Sequence, residues 1–181
     1  MDEQRKRVYA YRQQILDGVN CRELIMEMIA GQAERRIAEF LDTDYAWGVI
    51  TEWAAGEFGI RIDVSEIRNA SQEELAYILR DRASQQVRED VIDQIEECLL
   101  LDVDEDEWNW QALAQWANSR FNLGLNDKHL RAEPREDIFD LLVERIDPVI
   151  DRYDYSILEL FLEELFPLRS LCEWLRQQFT L

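Results

Sequence analysis

The chain's only histidine, His129, is the first residue to weigh in a search for catalytic chemistry, because a histidine base activates the serine or cysteine nucleophile of many hydrolases. It lies between Lys128 and Leu130 in a predicted short helical turn. In the internal repeat described below, its equivalent in the other copy is Glu66. A position that changes from glutamate to histidine is typical of an exposed surface. We therefore predict no catalytic residue in this chain.

Metal and nucleotide sites are disfavoured by spacing. The acidic residues 102–107 resemble the start of a calcium loop, but Glu107 and Leu113 stand where that loop needs glycine and a bidentate glutamate. No two cysteines have the spacing of a zinc site, and the chain has neither a GxxxxGK[ST] nor a GxGxxG phosphate loop. The three separated cysteines indicate free thiols in a reducing compartment. We predict no metal and no cofactor bound to this chain, and an exposed acidic linker at residues 102–107.

The net charge of the chain indicates which kinds of partner it can bind. With 39 acidic and 20 basic residues, its formal net charge is −19. Such a surface repels phosphate backbones and anionic lipid headgroups, so we predict no nucleic-acid binding. No stretch reaches the roughly 18 apolar residues of a membrane-spanning helix, which predicts no direct membrane insertion. These features indicate a cytoplasmic location.

A recurring aromatic phrase predicts an internal repeat. Comparing residues 47–89 with residues 110–152, an offset of 63, gives eight identities in 43 positions without a gap. A third, partial copy runs from Leu168 to Leu181. The aromatic residues predicted to anchor the copies are Trp47, Trp53, Phe58, Trp110, Trp116, Phe121, Trp174 and Phe179. Aromatic residues at helical spacing are usually core residues, and we expect these to pack the copies together.

Apolar periodicity predicts helices for most of the chain. The first helix should end near Gly18, and the second should span residues 21–41. Its predicted apolar stripe is Met26, Ile29, Ala33, Ile37 and Phe40. Two capping boxes, one starting at Asp63 and one at Ser71, predict a short helix followed by a long helix that reaches about Leu101.

The prolines predict interruptions in the second half of the chain. Pro134 suits the first turn of a helix, whereas Pro148 lies deep in the same helix and predicts a kink or break near Asp147. A further helix is predicted over residues 154–166, and Pro167 begins the third copy. The fold class is therefore predicted as all-α, with amphipathic helices in a bundle or stack and an internal helical repeat of about 63 residues.

The first 18 residues resemble the SecA preprotein translocase motor, at the point where its scaffold helix leads into its helical wing. That family shows the pattern (N/D)-x-Q-R-x-x-(I/V)-Y-x-x-R-x-x-(I/L)-L there. The matching residues here are Asp2, Gln4, Arg5, Val8, Tyr9, Arg12, Ile15 and Leu16. Residues 21–41 resemble the family's next helix, and the phrase that starts at Trp108 or Trp110 and runs through Leu113 to Phe121 and Leu123 resembles its wing. The chain differs from the family in carrying this phrase more than once.

The resemblance implies an ATP-driven motor that moves unfolded preproteins through the SecYEG channel, located peripherally at the cytoplasmic face of the inner membrane. ATP and magnesium would be bound by motor domains outside this chain. The implied partners are those remaining domains, the preprotein and the channel. Of the matched residues, Gln4, Arg5, Tyr9 and Arg12 are predicted to contact the motor core, although packing against neighbouring helices would account for them equally well.

Four segments follow from the repeat and the resemblance. They are a scaffold-like helix with its following helix at 1–41, wing repeat one at 42–104, wing repeat two at 105–166, and a truncated third copy at 167–181. The leading hypothesis is a non-catalytic, fragmentary scaffold and wing segment of a SecA-like translocase. The alternative is a free-standing helical repeat adaptor that binds partner proteins.

Overall fold

The structure, a computed structural model, describes residues 2–16, 18 and 20–179. Within these it describes all side chains except those of Asp2, Glu3, Gln4, Arg7, Gln14, Ile15 and Phe179. Every regular element in these residues is a helix, which confirms the all-α prediction. The α-helices are α1 Asp2–Leu16, α2 Cys21–Phe40, α3 Tyr45–Phe58, α4 Val64–Ile67, α5 Gln72–Cys98, α6 Trp110–Phe121, α7 Asp127–Arg131, α8 Ile138–Asp151, α9 Ile157–Leu162 and α10 Phe166–Phe179.

Two compact units make up the chain. One, here called the terminal unit, comprises residues 1–45 and 165–181. The other, here called the central unit, comprises residues 46–164. Both long predicted repeats therefore fall mainly in the central unit. The division into four segments stays a prediction.

The core of the central unit is the contact between α5 and α8. α5 buries a residue at nearly every fourth position, because that spacing returns side chains to the same face of a helix. α8 does the same with Ile138, Leu142, Ile146 and Ile150, which are at most 6% exposed. Arg80 pairs with Asp151, and Arg88 pairs with Asp147 further along α5, so the two helices run antiparallel. Each fully buried side chain of this kind contributes about 1.5–3 kcal/mol of hydrophobic free energy.

The two long repeats have matching local structure. The first helix of each ends at its anchor phenylalanine, Phe58 or Phe121, and is followed by a residue with positive φ, Gly59 at 72° or Asn122 at 54°. A short helix then begins at Val64 or Asp127, which are 63 residues apart. The equivalent pairs that are buried in both copies are Ile50/Leu113, Ala54/Ala117, Ile62/Leu125, Ile67/Leu130, Leu75/Ile138, Leu79/Leu142, Ala83/Ile146 and Val87/Ile150. The duplication itself remains a prediction that these similarities support.

Side chains predicted to cap helices do so. The Ser71 hydroxyl accepts a hydrogen bond from Glu74 N at 3.3 Å, and Ser71 N donates to the Glu74 carboxylate at 2.8 Å. A capping box at Asp63 starts α4 in the same way. The first helix ends at Leu16, and Gly18 has the left-handed φ of 83° that favours glycine.

The long helix α5 ends at Cys98, three residues earlier than predicted, for a tertiary reason. Asn109 N donates to the Cys98 carbonyl at 2.9 Å, Arg135 Nε to Leu99 O at 3.0 Å, and Trp108 Nε1 to Leu100 O at 2.7 Å. These donors belong to the second repeat. They satisfy the carbonyls at the helix end, so the backbone can leave the helix without losing hydrogen bonds.

The structure differs from two predictions about the second half of the chain. α8 continues through Pro148 to Asp151, so a break near Asp147 is wrong, whereas a kink there stays a prediction. Ile146 and Ile150, on either side of the proline, are buried in the core. The helix predicted over residues 154–166 is reduced to α9. Asp154 forms a turn by accepting from Ser156 N at 2.9 Å, and Glu163 has extended backbone that ends α9.

The predicted apolar stripe of α2 is largely uncovered. Met26 is 59% exposed, Ile29 44% and Ile37 37%, whereas Ala33 and Phe40 are half-buried. α2 packs against α10 within the terminal unit, and the Phe40 and Trp174 rings lie 6.1 Å apart. Leu24 is the residue of α2 that this unit buries. The helical period was therefore predicted correctly, but its burial was not.

Candidate functional site

The residues predicted to contact the motor core lie on α1. Arg5, Tyr9 and Arg12 are spaced by four and three residues, so they share one face of the helix. All three are exposed, Tyr9 by 57%. The Arg5 guanidinium lies 5.8 Å from the centroid of the Tyr9 ring, a cation–π distance. The side chain of Gln4 lies outside the described residues.

The side chains on this face are of kinds that suit binding. It presents two guanidinium groups and a phenol to solvent. Guanidinium groups suit carboxylates and aromatic rings, because they donate in a planar fork and stack. Lys6 is exposed on the same helix. α1 therefore offers cationic and aromatic contacts in a chain that is otherwise acidic.

His129 has a structural function in the helix start of α7. Its backbone N donates to the Asn126 carboxamide oxygen at 3.0 Å, and its Nδ1 accepts from Asn126 N at 3.4 Å. Glu66, its repeat equivalent, accepts from Asp63 N at 3.2 Å in the same position of α4. The exchange of glutamate for histidine thus keeps one side-chain acceptor at the third residue of a capped helix.

The acidic residues 102–107 form a bend and a 3-10 turn, Glu105–Glu107. Among the residues that the structure describes, no group of three or more histidine, cysteine or acidic side chains is placed to hold a metal ion. Cys21 and Cys172 are exposed free thiols, and Cys98 is a buried one. Burial, and secondarily the charge of Glu97, raises the pKa of the Cys98 thiol.

The anchor aromatic residues differ in burial. Trp110 is 6% exposed, whereas Trp47, Trp53, Trp116 and Trp174 are half-buried, as are Phe58 and Phe121. The Phe179 side chain lies outside the described residues. Trp53 with Phe58 and Trp116 with Phe121 form equivalent edge-to-face pairs, each with centroids 5.6 Å apart. Such pairs contribute about 0.5–1.5 kcal/mol beyond their buried area.

An aromatic cluster in the central unit was not predicted from the sequence. The Tyr153 ring lies 4.8 Å from Phe58 and 5.1 Å from Tyr155, and Trp53 lies 6.1 Å from Phe161. Tyr153 and Tyr155 lie in the loop between α8 and α9, outside the repeat phrase. In the sequence, the one signal that could have indicated this cluster was the alternation of tyrosines in this loop. The cluster joins the first helix of repeat one to the end of repeat two.

Polar groups contact the two tyrosines of this cluster. Burial, followed by a hydrogen bond to Glu57, raises the pKa of Tyr153 to about 12. Burial also raises the pKa of Tyr155, whose ring lies 5.7 Å from the Arg80 guanidinium carbon. Both tyrosines therefore remain neutral at physiological pH and act as packing residues.

Ion pairs connect α5 to neighbouring helices of the central unit. Arg88 pairs with Asp147 of α8 at 2.9 Å, and Asp90 pairs with Arg120 of α6 at 2.7 Å. Arg82 pairs with Glu66 of α4 at 2.7 Å. These side chains are 21–47% exposed, so solvent screens each pair and the expected contribution is about 0–1 kcal/mol.

The terminal unit contains an open groove of about 470 Å³ between α2 and α10. Most of its lining residues are apolar; the lining residues are Ile25, Met28, Ile29, Gln32, Ala33, Arg36, Trp174 and Gln178. Methionine and isoleucine side chains form an adaptable apolar surface. This unit therefore provides a second candidate binding surface, separate from the exposed face of α1.

None of the helices in the described residues combines the length and apolar character that crossing a bilayer requires.

Comparisons with known proteins give a consistent result. The family model described as SecA Wing and Scaffold domain matches residues 1–111. Over 179 residues, 99% of this chain, the chain is 36% identical to protein translocase subunit SecA 1 of Rhodopirellula baltica. Over 165 residues, 83% of the chain, it is 26% identical to protein translocase subunit SecA of Solibacter usitatus. The chain spans 14% and 17% of the lengths of these two relatives. No solved structure matches it.

Proposed function

Because the chain belongs to the SecA wing and scaffold family, we propose that it is a non-catalytic helical segment of an ATP-driven preprotein translocase. The observation that carries this proposal is the 36% identity over nearly the whole chain to a translocase subunit. ATP and magnesium would be bound by other domains of the motor. This segment would couple their movements mechanically and contact the preprotein or the SecYEG channel at the cytoplasmic face of the membrane.

Mechanical coupling is consistent with the packing of the central unit. α5 is 27 residues long and packs against α6, α8 and α9, and ion pairs connect it to α4, α6 and α8. A helix held along its length by several neighbours moves as a rigid body, because displacing it would break many contacts at once. A free-standing adaptor has no comparable support from the relatives.

The exposed face of α1 provides the contact with the rest of the motor in this proposal. Arg5, Tyr9 and Arg12 match the family pattern and present their side chains to solvent within this chain. Burying an aromatic residue and two arginines in an interface is a common source of binding free energy. Their exposure is explained if they pack against a domain that is outside these residues.

The test is an Arg5→Ala, Arg12→Ala double variant of the full-length translocase. Loss of both guanidinium groups is expected to reduce preprotein transport into SecYEG vesicles about tenfold or more. The basal ATP hydrolysis of the variant should stay within about twofold of the parent. Arg35→Ala is the matched control, because Arg35 donates to Gly31 O and Gln32 Oε1 within α2.

Two outcomes would contradict the proposal. Undiminished transport by the double variant would mean that this face does not couple the segment to the motor. Loss of basal ATP hydrolysis, with Arg35→Ala unaffected, would mean that the residues belong to the nucleotide chemistry and that the segment is catalytic.

A further inference from the structure

The net charge of the chain is distributed very unevenly. The central unit, residues 46–164, contains 29 acidic and 11 basic residues, a formal charge of −18. The terminal unit contains ten acidic and nine basic residues, a charge of −1. Strong like charge keeps a surface solvated and separate from other acidic surfaces, and a neutral surface lacks this barrier. The terminal unit is therefore the part of the chain suited to close packing with another protein element.

The terminal unit also exposes large apolar side chains. On α2, Ile25 is 54% exposed and Met28 46%. On α10 and just before it, Leu168 is 46% exposed and Leu165 55%. Exposed apolar residues that lie together on a protein surface mark an interaction site more often than isolated ones do.

The second repeat contains a helix equivalent to α10, and its surroundings indicate what covers a helix of this kind. Aligned by their anchor residues, Leu168 of α10 corresponds to Trp110 of α6, Leu171 to Leu113, and Trp174 to Trp116. In α6 the face containing Trp110, Leu113, Ala114 and Ala117 is at most 6% exposed. That face packs against α5, α7 and α8, the last two of which follow α6 in the chain.

The same face of α10 is not covered in this way. Leu168 and Cys172, the counterparts of Trp110 and Ala114, are exposed. Leu171 and Leu175, the counterparts of Leu113 and Ala117, are only half-buried. α10 therefore has the apolar pattern of a first repeat helix, and within the described residues no helix covers it as α8 covers α6 in the second repeat.

From this comparison we propose that the Leu168–Leu171–Cys172–Leu175 face of α10 is covered by an amphipathic helix of the α8 type. The helix would be supplied by the part of the translocase polypeptide outside these 181 residues. It would carry aliphatic residues at every fourth position, as α8 does with Ile138, Leu142, Ile146 and Ile150. The relatives leave ample chain for it, because this chain spans only 14% of the length of the Rhodopirellula baltica relative.

The near-neutral charge of the terminal unit supports a covering helix from the same polypeptide. A second copy of the chain would bring another central unit of charge −18 with it, and the repulsion would oppose association. A helix connected to the unit covalently has a high effective concentration and needs no separate association step.

Cys172 is a suitable probe because it lies on the proposed face and is exposed. In a Cys21→Ser background it becomes the exposed thiol, while Cys98 is buried. The rate of its reaction with a maleimide would be compared between the 181-residue chain and the full-length polypeptide. Covering of the face should slow the reaction about tenfold or more in the full-length polypeptide.

The controls separate this proposal from the alternatives. In a Cys172→Ser background, Cys21 lies at the start of α2 and not on the proposed face of α10, so it should react at similar rates in both proteins. Adding Leu168→Asp to the full-length Cys21→Ser variant should restore fast labelling of Cys172, because a charge in the covered face would displace the helix.

Two results would overturn the proposal. Equal labelling rates at Cys172 in the two proteins would show that nothing in the longer polypeptide covers α10. If Cys172 of the 181-residue chain reacted more slowly with maleimide as the concentration of that chain rose, a second copy would be covering the face instead.

Discussion

Burial separates Trp116 from the aliphatic residues beside it on α6. Leu113 is fully buried, whereas Trp116, three residues later on α6, is half-buried and packs edge-to-face with Phe121. The free energy lost on truncation depends on the buried volume that is removed and on the cavity that is left. The aliphatic core residues therefore carry as much stability as the more conspicuous aromatic residues.

Single substitutions can test this difference. Leu113→Ala should lower the free energy of unfolding by about 3 kcal/mol, because it leaves a cavity in the core. Trp116→Ala should lower it by about 2 kcal/mol, because part of the indole is already in water. Urea unfolding followed by circular dichroism would give both values. Tyr77→Ala is the control, since Tyr77 is 68% exposed. A loss at Trp116 well above that at Leu113 would contradict this account.

At the scale of elements, the starts of the helices are fixed by local hydrogen bonds. The capping box of α5 joins Ser71 and Glu74 in both directions. Hydrogen bonds from the backbone and side chain of Ser71 lower the pKa of Glu74. The ionised carboxylate is thus the form that the folded helix favours.

This cap predicts a dependence of stability on pH. Because the pKa of Glu74 is lower in the folded state, its contribution is present above the ordinary glutamate pKa and is lost as pH falls from roughly 4 through the lowered value. Ser71→Ala removes the hydroxyl partner and should cost about 1 kcal/mol at pH 7. It should also reduce the loss of stability between neutral and acidic pH, measured by thermal unfolding. If the stability of the variant depended on pH in the same way as that of the parent, the prediction would be contradicted.

At the scale of the whole molecule, the dominant feature is the acidic central unit. Its formal charge of −18 produces self-repulsion in the folded state. The ion pairs between its helices oppose this repulsion, but they are partly exposed and individually weak. The repulsion is therefore expected to outweigh them.

Salt should stabilise the chain as a result. Raising NaCl from about 20 mM to about 300 mM shortens the Debye length from roughly 20 Å to below 10 Å. The thermal midpoint should rise, because more repulsive than attractive pairs are screened. Asp106 lies in the exposed 3-10 turn and Asp104 directly precedes that turn; replacing both by lysine should reduce this dependence. A midpoint that falls with salt would mean that the ion pairs dominate.

The local features of the fold were predictable from the sequence. Helix periods and capping boxes depend on residues three or four positions apart, so α5 was predicted as a long helix that starts at Ser71. The family relationship was visible in the first 18 residues for a similar reason, since its pattern is a short run of residue types. The confirmed family match covers residues 1–111.

Contacts between distant residues were decided only by the tertiary structure. α5 ends at Cys98 because donors from the second repeat satisfy its last carbonyls, and α8 continues past Pro148 because Ile146 and Ile150 are held in the core. Tyr153 joins the Phe58 cluster from a loop with no periodic signal. On α2 the sequence alone determined which residues share a face. Whether water or another helix meets that face depends on neighbours distant in sequence, and here Met26 and Ile29 meet water.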